Sequence, residues 1–186
     1  TEGEIRRKMI ERGLVEAIVI LPRNLFYSTD ISVTLWILNA NKKARVVNRN
    51  GEEIHYRDRE KEILFIDMRQ MGEPFEKKYV RFTDEDIRKV ADTYHNWQRE
   101  GHTETYTDMP EFCKSVRVNE EGGIADKGFS LVPSKYIEFV NRDESVDYDT
   151  HMKELQSELA DILRQEAISR ESVLNVFKSL GYEIKL

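Results

Sequence analysis

Residues 15–38, VEAIVILPRNLFYSTDISVTLWIL, decide the fold because they set a polar loop between two apolar runs. The first run, 15–21, is almost wholly apolar and rich in β-branched side chains, which is typical of a strand buried on both faces of an α/β sheet. The second run, 33–38, has the same character. The pattern therefore predicts two buried strands that are joined by the loop between them.

The loop between the two predicted strands carries Phe26 and Tyr27 side by side. Loops that connect packed strands lie at the surface and usually expose polar side chains. Two adjacent aromatic rings in such a loop indicate a surface that covers something flat. We therefore interpret residues 21–31 as one edge of a binding site.

Local signals on either side of these strands predict a helix and a hairpin. Gly13 suits the left-handed conformation that follows the last turn of a helix, so it predicts the end of a helix over 4–12. Asn50-Gly51 lies between the alternating stretches 43–47 and 53–56. Asn-Gly in this setting is the strongest short-range signal for a β-hairpin.

The apolar run 63–66 predicts a further buried strand, so residues 1–70 are predicted to form an α/β unit. Its four or five strands have one leading helix to cover them, whereas a buried sheet needs cover on both faces. We therefore expect part of this cover to come from residues beyond the chain, and we expect an exposed sheet edge.

Residues 71–145 are predicted to form a helix and a loop-rich extension. Thr83 and Asp86 have the spacing of a capping box, and apolar residues at helical spacing follow as far as Trp97, with Gly101 ending the helix. A stripe of this kind indicates a packing face. The rest of the extension is predicted to be anchored by Phe112, Phe129, Tyr136, Ile137 and Phe139.

Residues 146–186 are predicted to form a helical tail. Its apolar residues alternate steps of three and four, as in a coiled coil: Met152, Leu155, Leu159 and Ile162. Ser169 is predicted to cap a second helix that Gly181 closes. Two interpretations stay open, because the two helices could fold on each other or the apolar seam could contact another subunit.

Charge is distributed unevenly along the chain. Residues 1–80 contain 15 Lys and Arg against 13 Asp and Glu, or +2, and residues 81–186 contain 14 against 22, or −8, which together give the net charge of −6. Non-specific affinity for DNA comes from Lys and Arg that neutralise phosphates. Residues 81–186 are therefore predicted to contact protein rather than DNA.

Composition excludes several classes of protein. A hydrophobic content of 39% suffices for a core, and the apolar runs are far too short for a membrane span. No N-terminal secretion signal is present, so a cytoplasmic location and no membrane partner are expected. Cys113 is the sole cysteine and His95 lacks a second ligand at helical spacing, so neither a disulfide nor a metal site is predicted.

A series of motifs in fixed order carries a family resemblance. It begins with the predicted helix over 4–12 and Leu14-Val15-Glu16-Ala17-Ile18, continues with Leu21-Pro22-x-Asn24-Leu25-Phe26-Tyr27-Ser28-Thr29-x-Ile31, and ends with Leu131-Val132-Pro133-Ser134-Lys135-Tyr136. Between them come Leu35-Trp36-Ile37-Leu38-Asn39, Ile63-Leu64-Phe65-Ile66-Asp67-Met68-Arg69, Thr83-Asp84-Glu85-Asp86-Ile87 and Phe112-Cys113-Lys114-Ser115. The series resembles the last part of the catalytic domain of amino-methylating DNA methyltransferases, and more narrowly the modification subunit of type I restriction-modification systems.

The resemblance implies a fold, an activity and partners. It implies that 1–70 are the C-terminal part of a Rossmann-like methyltransferase sheet. The activity implied is transfer of a methyl group from S-adenosylmethionine to N6 of adenine in DNA. The implied partners are DNA, a specificity subunit, a restriction subunit and a second modification subunit, and 146–186 are the candidate subunit interface.

Two motifs of such enzymes are absent from the sequence. Enzymes of this family resemble one another in two motifs. One is a Gly-rich turn for S-adenosylmethionine, and the other is an Asn-Pro-Pro-aromatic tetrapeptide that holds the target amine. The four prolines here, at 22, 74, 110 and 133, are never adjacent, and Gly122-Gly123 stands alone in a polar segment. We therefore expect a C-terminal fragment that neither binds S-adenosylmethionine nor transfers methyl groups by itself.

The same resemblance assigns a role to the loop. An adenine must leave the duplex to be methylated, and it is then held between aromatic or apolar side chains. By its position in the motif, Phe26 carries over as one stacking partner of the extruded base. Packing of Phe26 beneath the loop is the alternative.

Further DNA contacts are expected from the neighbours of Phe26, and the candidates are Arg23, Asn24, Tyr27, Ser28 and Thr29. Asn and Ser beside a turn also bond their own backbone, so local hydrogen bonding is the alternative for them. Asp30 departs from the family pattern, which has a small or polar residue there, and its charge opposes phosphate contact at that position.

A different class of protein fits the same sequence. The alternative is a non-catalytic protein-interaction module with a small α/β head, a helical tail and no nucleic-acid role. A solitary methyltransferase outside any restriction complex would share the head, but the long acidic tail argues against it.

Overall fold

The computed structural model describes residues 1–140 and 148–182. The chain divides into two compact units, Thr1–Val140 and Asn141–Leu186. The predicted boundary at 145 and 146 lies outside the described residues, and the predicted division at residue 70 stays a prediction.

The first unit is built from short strands and three helices. In chain order they are α1 (Glu2–Glu11), β1 (Val15–Ile20), β2 (Thr34–Leu38), β3 (Arg45–Arg49), β4 (Glu52–Tyr56), β5 (Glu62–Asp67), β6 (Glu73–Phe75), β7 (Tyr79–Arg81), α2 (Asp84–Gln98), α3 (His102–Thr105) and β8 (Cys113–Arg117), followed by a short 3-10 turn at Pro133–Lys135.

Four of the strands form a mixed sheet in the order β2-β1-β5-β8. β1 and β5 run parallel, with Ile18 opposite Phe65, whereas β2 and β8 are antiparallel to their neighbours. The predicted strands at 15–21, 33–38 and 63–66 are all present, and the predicted α/β class is confirmed. β8 was missed because its sequence, CKSVR, shows little of the apolar pattern on which strand prediction depends.

Both faces of the two central strands are covered from within the chain. One face packs against Ile10 of α1 and against the irregular segment 118–137, and the other packs against Trp97 of α2. The expectation that one leading helix leaves this sheet short of cover was therefore wrong for β1 and β5. The loop-rich extension supplies the missing layer.

The strand β2 is an edge strand, and most of it is exposed. Leu35, Trp36 and Leu38 are all among the exposed hydrophobic residues. The prediction of a strand here is confirmed, but the prediction that it is buried on both faces was wrong. An apolar run of five or six residues does not distinguish a central strand from an edge strand, because both place apolar side chains on a pleated surface.

Two hairpins project from the sheet. β3 and β4 pair around Asn50 and Gly51, whose φ angles of 55° and 86° suit the primed turn that Asn-Gly favours, so the predicted hairpin is confirmed. β6 and β7 form a second, shorter hairpin over 73–81. No strand is predicted there from the sequence, because the charges of the segment and Pro74 obscure the strand pattern.

The helix α2 begins and packs as its sequence predicts. The backbone N–H of Asp86 donates to Thr83 Oγ1 at 3.1 Å, and the N–H of Thr83 donates to Asp86 Oδ2 at 2.9 Å, which completes the capping box. Trp97 is fully buried, and its Nε1 donates to Ser115 Oγ at 2.8 Å. Ile87 is the exception in the stripe, because it is exposed.

A buried polar cluster lies at the amino ends of β1 and β5. Glu16 forms an ion pair with Arg59 at 3.0 Å and accepts hydrogen bonds from Gln98 and Asn39. Burial alone raises the pKa of a carboxyl group, but these partners together hold the pKa of Glu16 below its usual value. Lys42 Nζ donates to the backbone oxygens of Val15 and Glu62 at the same place.

Lys42 is expected to make stability depend on pH. Burial lowers the pKa of Lys42 from 10.5 to about 8, so between these values the unfolded chain binds more protons than the folded chain. The contribution of Lys42 to the free energy of unfolding therefore rises as the pH increases from about 8 to 10.5. Burial also raises the pKa of Cys113. The contribution of Cys113 to the free energy of unfolding therefore falls as the pH rises, opposite to that of Lys42.

Comparison of two chains isolates the effect of Lys42. Urea unfolding of the natural chain and of Lys42→Met is measured at several pH values across this range. The stability of the natural chain relative to Lys42→Met should increase with pH. A difference that stays constant would contradict a depressed pKa for Lys42.

The described part of the second unit is one helix, α4 (Tyr148–Ser179). The predicted second helix with its cap at Ser169 is wrong, because the helix continues through that residue. Of the two interpretations of the tail, two helices that fold on each other are therefore excluded for residues 148–179. Gly181 follows the helix with a φ of 82°, and the N–H of Tyr182 donates to the Phe177 oxygen at 3.0 Å. The predicted end of the tail helix at Gly181 is therefore confirmed.

Candidate nucleic-acid interface

The loop after β1 lies at the carboxyl edge of the two parallel strands. β1 ends at Ile20 and β5 ends at Asp67, and in open α/β sheets this edge is where ligands bind. The N–H of Leu21 donates to the Val33 oxygen at 2.8 Å, which ties together the two ends of the loop. The N–H of Met68 donates to the Ile20 oxygen at 2.9 Å. The loop is thus fixed on the rigid part of the sheet.

A tight turn forms the tip of this loop. The N–H of Thr29 donates to the Phe26 oxygen at 3.3 Å, and the turn places Tyr27 and Ser28 outermost. Across the base of the loop, Arg23 Nε donates to the Asp30 oxygen at 3.1 Å. Asn24 has a φ of 59°, a left-handed conformation that asparagine tolerates better than most residues.

The two aromatic rings of the loop are at the surface. Phe26 is 42% exposed and Tyr27 is 70% exposed, so neither ring is sealed in the core. The alternative interpretation of the sequence is that Phe26 packs beneath the loop. Because of this exposure, such packing covers only part of the ring. An exposed ring on a fixed loop is available for stacking on a flat ligand.

A cleft of about 440 Å³ lies beside the loop. Its walls come from the loop itself, from the segment after β5 and from the β6–β7 hairpin. The residues that line it include Arg23, Asn24, Ser32, Arg69, Gln70 and Gly72. Phe26 is not one of the lining residues, so the cleft and the exposed phenyl ring are separate features of the same edge.

Arg69 is a fixed cation in this cleft. Its guanidinium pairs with the Asp67 carboxylate at 2.6 Å, and Nε is 3.0 Å from both carboxylate oxygens. These hydrogen bonds raise the pKa of Arg69 above its usual value. Because Asp67 neutralises much of this charge, Arg23 is the arginine of the cleft that lacks a carboxylate partner among the described residues.

The β6–β7 hairpin supports the loop from the side. The N–H of Val80 donates to the Asn24 oxygen at 3.1 Å. The rings of Tyr27 and Tyr79 meet edge to face, with centroids 4.6 Å apart and planes inclined by 62°. Sequence reasoning missed this contribution, and the only signal for it was the short aromatic and β-branched pattern around Tyr79.

The predicted site residues all belong to this loop, but they face different surroundings. Arg23 and Asn24 line the cleft, and Tyr27 contacts the hairpin. Ser28 is exposed at the tip. Thr29 Oγ1 lies 3.5 Å from the Ile31 N–H, which is a local contact of the kind expected for hydroxyl groups beside turns.

Metal-binding clusters and membrane-spanning helices are both absent from the described residues. No group of three or more His, Cys, Asp or Glu residues within 1–140 and 148–182 is placed to hold a metal ion. In the same residues, no helix has the length and apolar character needed to cross a membrane.

The chain belongs to the N-6 DNA methylase family, whose model matches residues 1–145. It is 36% identical to the HindI methylase subunit of a type I restriction enzyme from Haemophilus influenzae, over 98% of this chain and 37% of that protein. It is 28% identical to the MjaIX methylase subunit from Methanocaldococcus jannaschii, over 97% of this chain and 29% of that protein. The chain thus spans about a third of the length of these relatives.

A solved structure has a similar fold. It is the methyltransferase subunit of a type I restriction-modification system from Streptococcus thermophilus, with a TM-score of 0.54 and 23% sequence identity. The similarity covers 74% of this chain and 23% of that one. It supports the mixed α/β architecture described above.

Members of this family use S-adenosylmethionine in general. The described residues do not fit this cofactor, because β1 is followed by Leu21-Pro22 and β5 by Met68-Arg69 rather than by a Gly-rich turn. The Gly122-Gly123 pair lies after β8, where the Cβ of any larger residue at 123 would be 2.5 Å from the Arg117 oxygen. Gly123 is thus required by local packing.

Proposed function

We propose that this chain is part of the methylase subunit of a type I restriction-modification enzyme, which methylates adenine at N6 in DNA. Within that enzyme the loop at 21–31 receives the adenine after it leaves the duplex. The observation that carries the proposal is the exposed ring of Phe26 on a loop fixed at the carboxyl edge of the sheet. Membership of the N-6 DNA methylase family supports it.

Phe26 would hold the base by stacking. Unstacking an adenine costs a few kcal/mol, and contact with an aromatic face offsets this cost. The opposite face of the base needs a second apolar or aromatic group, which in this class of enzyme belongs to the Pro-Pro-aromatic motif. This chain has no such motif, so the second group would come from another part of the enzyme.

The cleft beside the loop would hold the DNA backbone. Arg23 and Asn24 form part of its wall and offer a guanidinium and an amide to a phosphate. Tyr27, Ser28 and Thr29 would add contacts from the tip of the loop. The backbone oxygen of Asp30 accepts a hydrogen bond from Arg23 Nε. The carboxylate of Asp30 carries the negative charge of this loop, and this charge opposes phosphate binding.

S-adenosylmethionine would be the methyl donor of the complete enzyme. Since the described residues do not fit this cofactor, its binding residues would lie elsewhere in the enzyme, and this chain is not expected to transfer methyl groups by itself. The contribution of this chain is to hold the base.

Comparison of two DNA duplexes tests the proposal. One duplex is fully paired, and the other is identical except that one adenine lacks a pairing partner. The chain should bind the second duplex more tightly, because less energy is needed to extrude an unpaired base. Equal affinity for the two duplexes, or no affinity for either, would favour the alternative of an interaction module without a nucleic-acid role.

The helix α4 is proposed as the contact with the specificity subunit. Its apolar residues recur at steps of three and four along one face, which is the spacing of a helix that packs against other helices: Met152, Leu155, Leu159, Ile162, Val173 and Phe177. All of them are exposed within this unit. Glu166 and Arg170 pair at 2.6 Å on the same face and interrupt the apolar stripe.

A charge placed in this stripe should prevent the contact. Leu159→Asp is expected to weaken binding of the specificity subunit at least about tenfold, because burying an unpaired carboxylate costs more than about 1.4 kcal/mol. Ser157→Asp adds the same charge on the opposite face and serves as the control. Co-purification after co-expression measures both variants, and equal recovery of the partner with both would contradict this use of α4.

The restriction subunit and a second methylase subunit complete the proposed assembly. The relatives are named as subunits of type I restriction enzymes, which supports a multi-subunit enzyme for this chain as well. A cytoplasmic location is proposed on the same basis, since that is where such an enzyme meets the cell's DNA.

A further inference from the structure

The β6–β7 hairpin places two lysines next to the proposed base-binding loop. Lys77 and Lys78 lie in its turn, and both are exposed. Within the described residues neither ammonium group has a carboxylate within ion-pair distance, whereas Glu73 and Arg81 at the base of the hairpin pair at 2.6 Å. The two lysines are therefore available to an anionic ligand.

Aromatic rings connect these lysines to the loop. Lys78 Nζ lies 5.3 Å from the centroid of the Tyr79 ring, and that ring contacts Tyr27. Lys78, Tyr79 and Tyr27 thus form a row that leads from the turn of the hairpin to the tip of the loop. Alternation of cationic and aromatic side chains is typical of surfaces that follow a nucleic-acid strand.

The position of the hairpin is fixed as well. The hydrogen bond between Val80 and Asn24 joins the hairpin to the loop, and Gly72 lets the two arms of the hairpin approach closely at its base. A Cβ at Gly72 would be 2.6 Å from Val80 Cγ1 and 3.0 Å from the Arg81 oxygen, and its φ of 93° is unfavourable for other residues. These contacts place the backbone of the hairpin beside the loop.

We infer that the β6–β7 hairpin is a second DNA contact, in which Lys77 and Lys78 bind phosphates of the strand that carries the extruded adenine. The inference rests on the proposed function of the loop. Tyr79 is a positioning residue, since its ring packs against the Tyr27 ring at the tip of the loop. Glu76 in the same turn is the opposing charge, and the three residues 76–78 carry two positive charges and one negative charge, or +1.

The salt dependence of binding tests the inference. Each phosphate contact contributes about 0.9 to the slope of log affinity against log salt concentration. The double variant Lys77→Gln, Lys78→Gln should therefore flatten the slope by about 1.8 for the duplex with one unpaired adenine. Glu76→Gln should change affinity in the opposite direction and raise it at low salt.

Lys43 and Lys61 provide a control with the same change in charge, although Lys43, unlike the hairpin lysines, lies 3.9 Å from a carboxylate oxygen of Glu60. Both are exposed, and they lie toward the amino end of β5, at the opposite edge of the sheet from the loop. The double variant Lys43→Gln, Lys61→Gln removes the same charge and should change the slope much less than the hairpin variant. Equal flattening by the two double variants would show that net charge alone matters, and it would overturn the inference.

The remaining outcomes separate this inference from the proposed function. If the hairpin variant leaves the slope unchanged while Phe26→Ala still weakens binding, the hairpin is not a DNA contact and the role of the loop stands. If the natural chain does not bind the duplex at all, both proposals fail. Thermal unfolding of each variant, expected to match the natural chain because the lysines are exposed, excludes misfolding as the cause.

Discussion

In the intact enzyme, Phe26→Ala is expected to weaken binding of the duplex with one unpaired adenine about 5- to 150-fold. Stacking of a base on an aromatic ring contributes about 1–3 kcal/mol, and that free energy corresponds to this range of affinity. The ring is 42% exposed, so its removal should change the stability of the fold little. Fluorescence anisotropy of labelled duplexes measures the affinity.

Two further measurements distinguish stacking on the base from other causes of weaker binding. Phe26→Tyr keeps an aromatic face and should retain most of the affinity, whereas Phe26→Leu keeps only apolar bulk and should lose most of it. Affinity for the fully paired duplex should decrease less than affinity for the duplex with the unpaired adenine. Unchanged affinity of Phe26→Ala for both duplexes would contradict the stacking role.

Trp97→Ala should have the largest effect on stability, a loss of about 3–5 kcal/mol in the free energy of unfolding. Trp97 is fully buried against one face of the sheet, in the same cluster as Leu64 and Ile66. The substitution removes the ring that joins α2 to β5 and leaves Ser115 Oγ without the indole donor. A loss of this size is a large part of the stability of a typical domain.

Trp36 offers a control of the same residue type. It lies on the edge strand β2 and is 43% exposed, so Trp36→Ala should cost much less than Trp97→Ala. Urea unfolding followed by circular dichroism measures both variants. Equal losses at the two positions would contradict the packing of α2 on this face of the sheet.

Sequence reasoning was most successful where the physical cause of structure is local. Gly13, the Asn50-Gly51 turn and the Thr83 cap each act over a few residues, and each lies where it was predicted. Strands with a continuous apolar pattern, such as β1 and β5, were found for the same reason. Turn chemistry and periodicity need no knowledge of the rest of the chain.

Features that depend on distant residues were not predictable in this way. The exposure of β2 depends on which strand lies at the edge of the sheet, and β8 is a strand mainly because it pairs with β5. The single helix α4 has no break at Ser169, since serine caps a helix only where the backbone leaves the helical conformation. The structure of these segments therefore depends on more than their own local sequence.

The candidate site was predictable in part. The loop with its two aromatic rings was identified from the contrast between those rings and their polar surroundings, and the rings are indeed at the surface. The contribution of the β6–β7 hairpin was not foreseen, because Tyr79 is distant from Tyr27 in the sequence and only folding brings the rings to 4.6 Å. The cleft likewise combines three separate segments.

Contact between the Phe26 ring and the extruded adenine is the central claim, and nuclear magnetic resonance can detect it directly. Nuclear Overhauser effects are measured between the ring protons of Phe26 and the base protons of the single unpaired adenine in a saturated complex. Stacking predicts such effects for Phe26 and their absence for Phe129, a partly buried phenylalanine whose ring lies 5.0 Å from the Arg7 guanidinium of α1. A saturated complex in which this adenine gives no such effect with the Phe26 ring would contradict the claim.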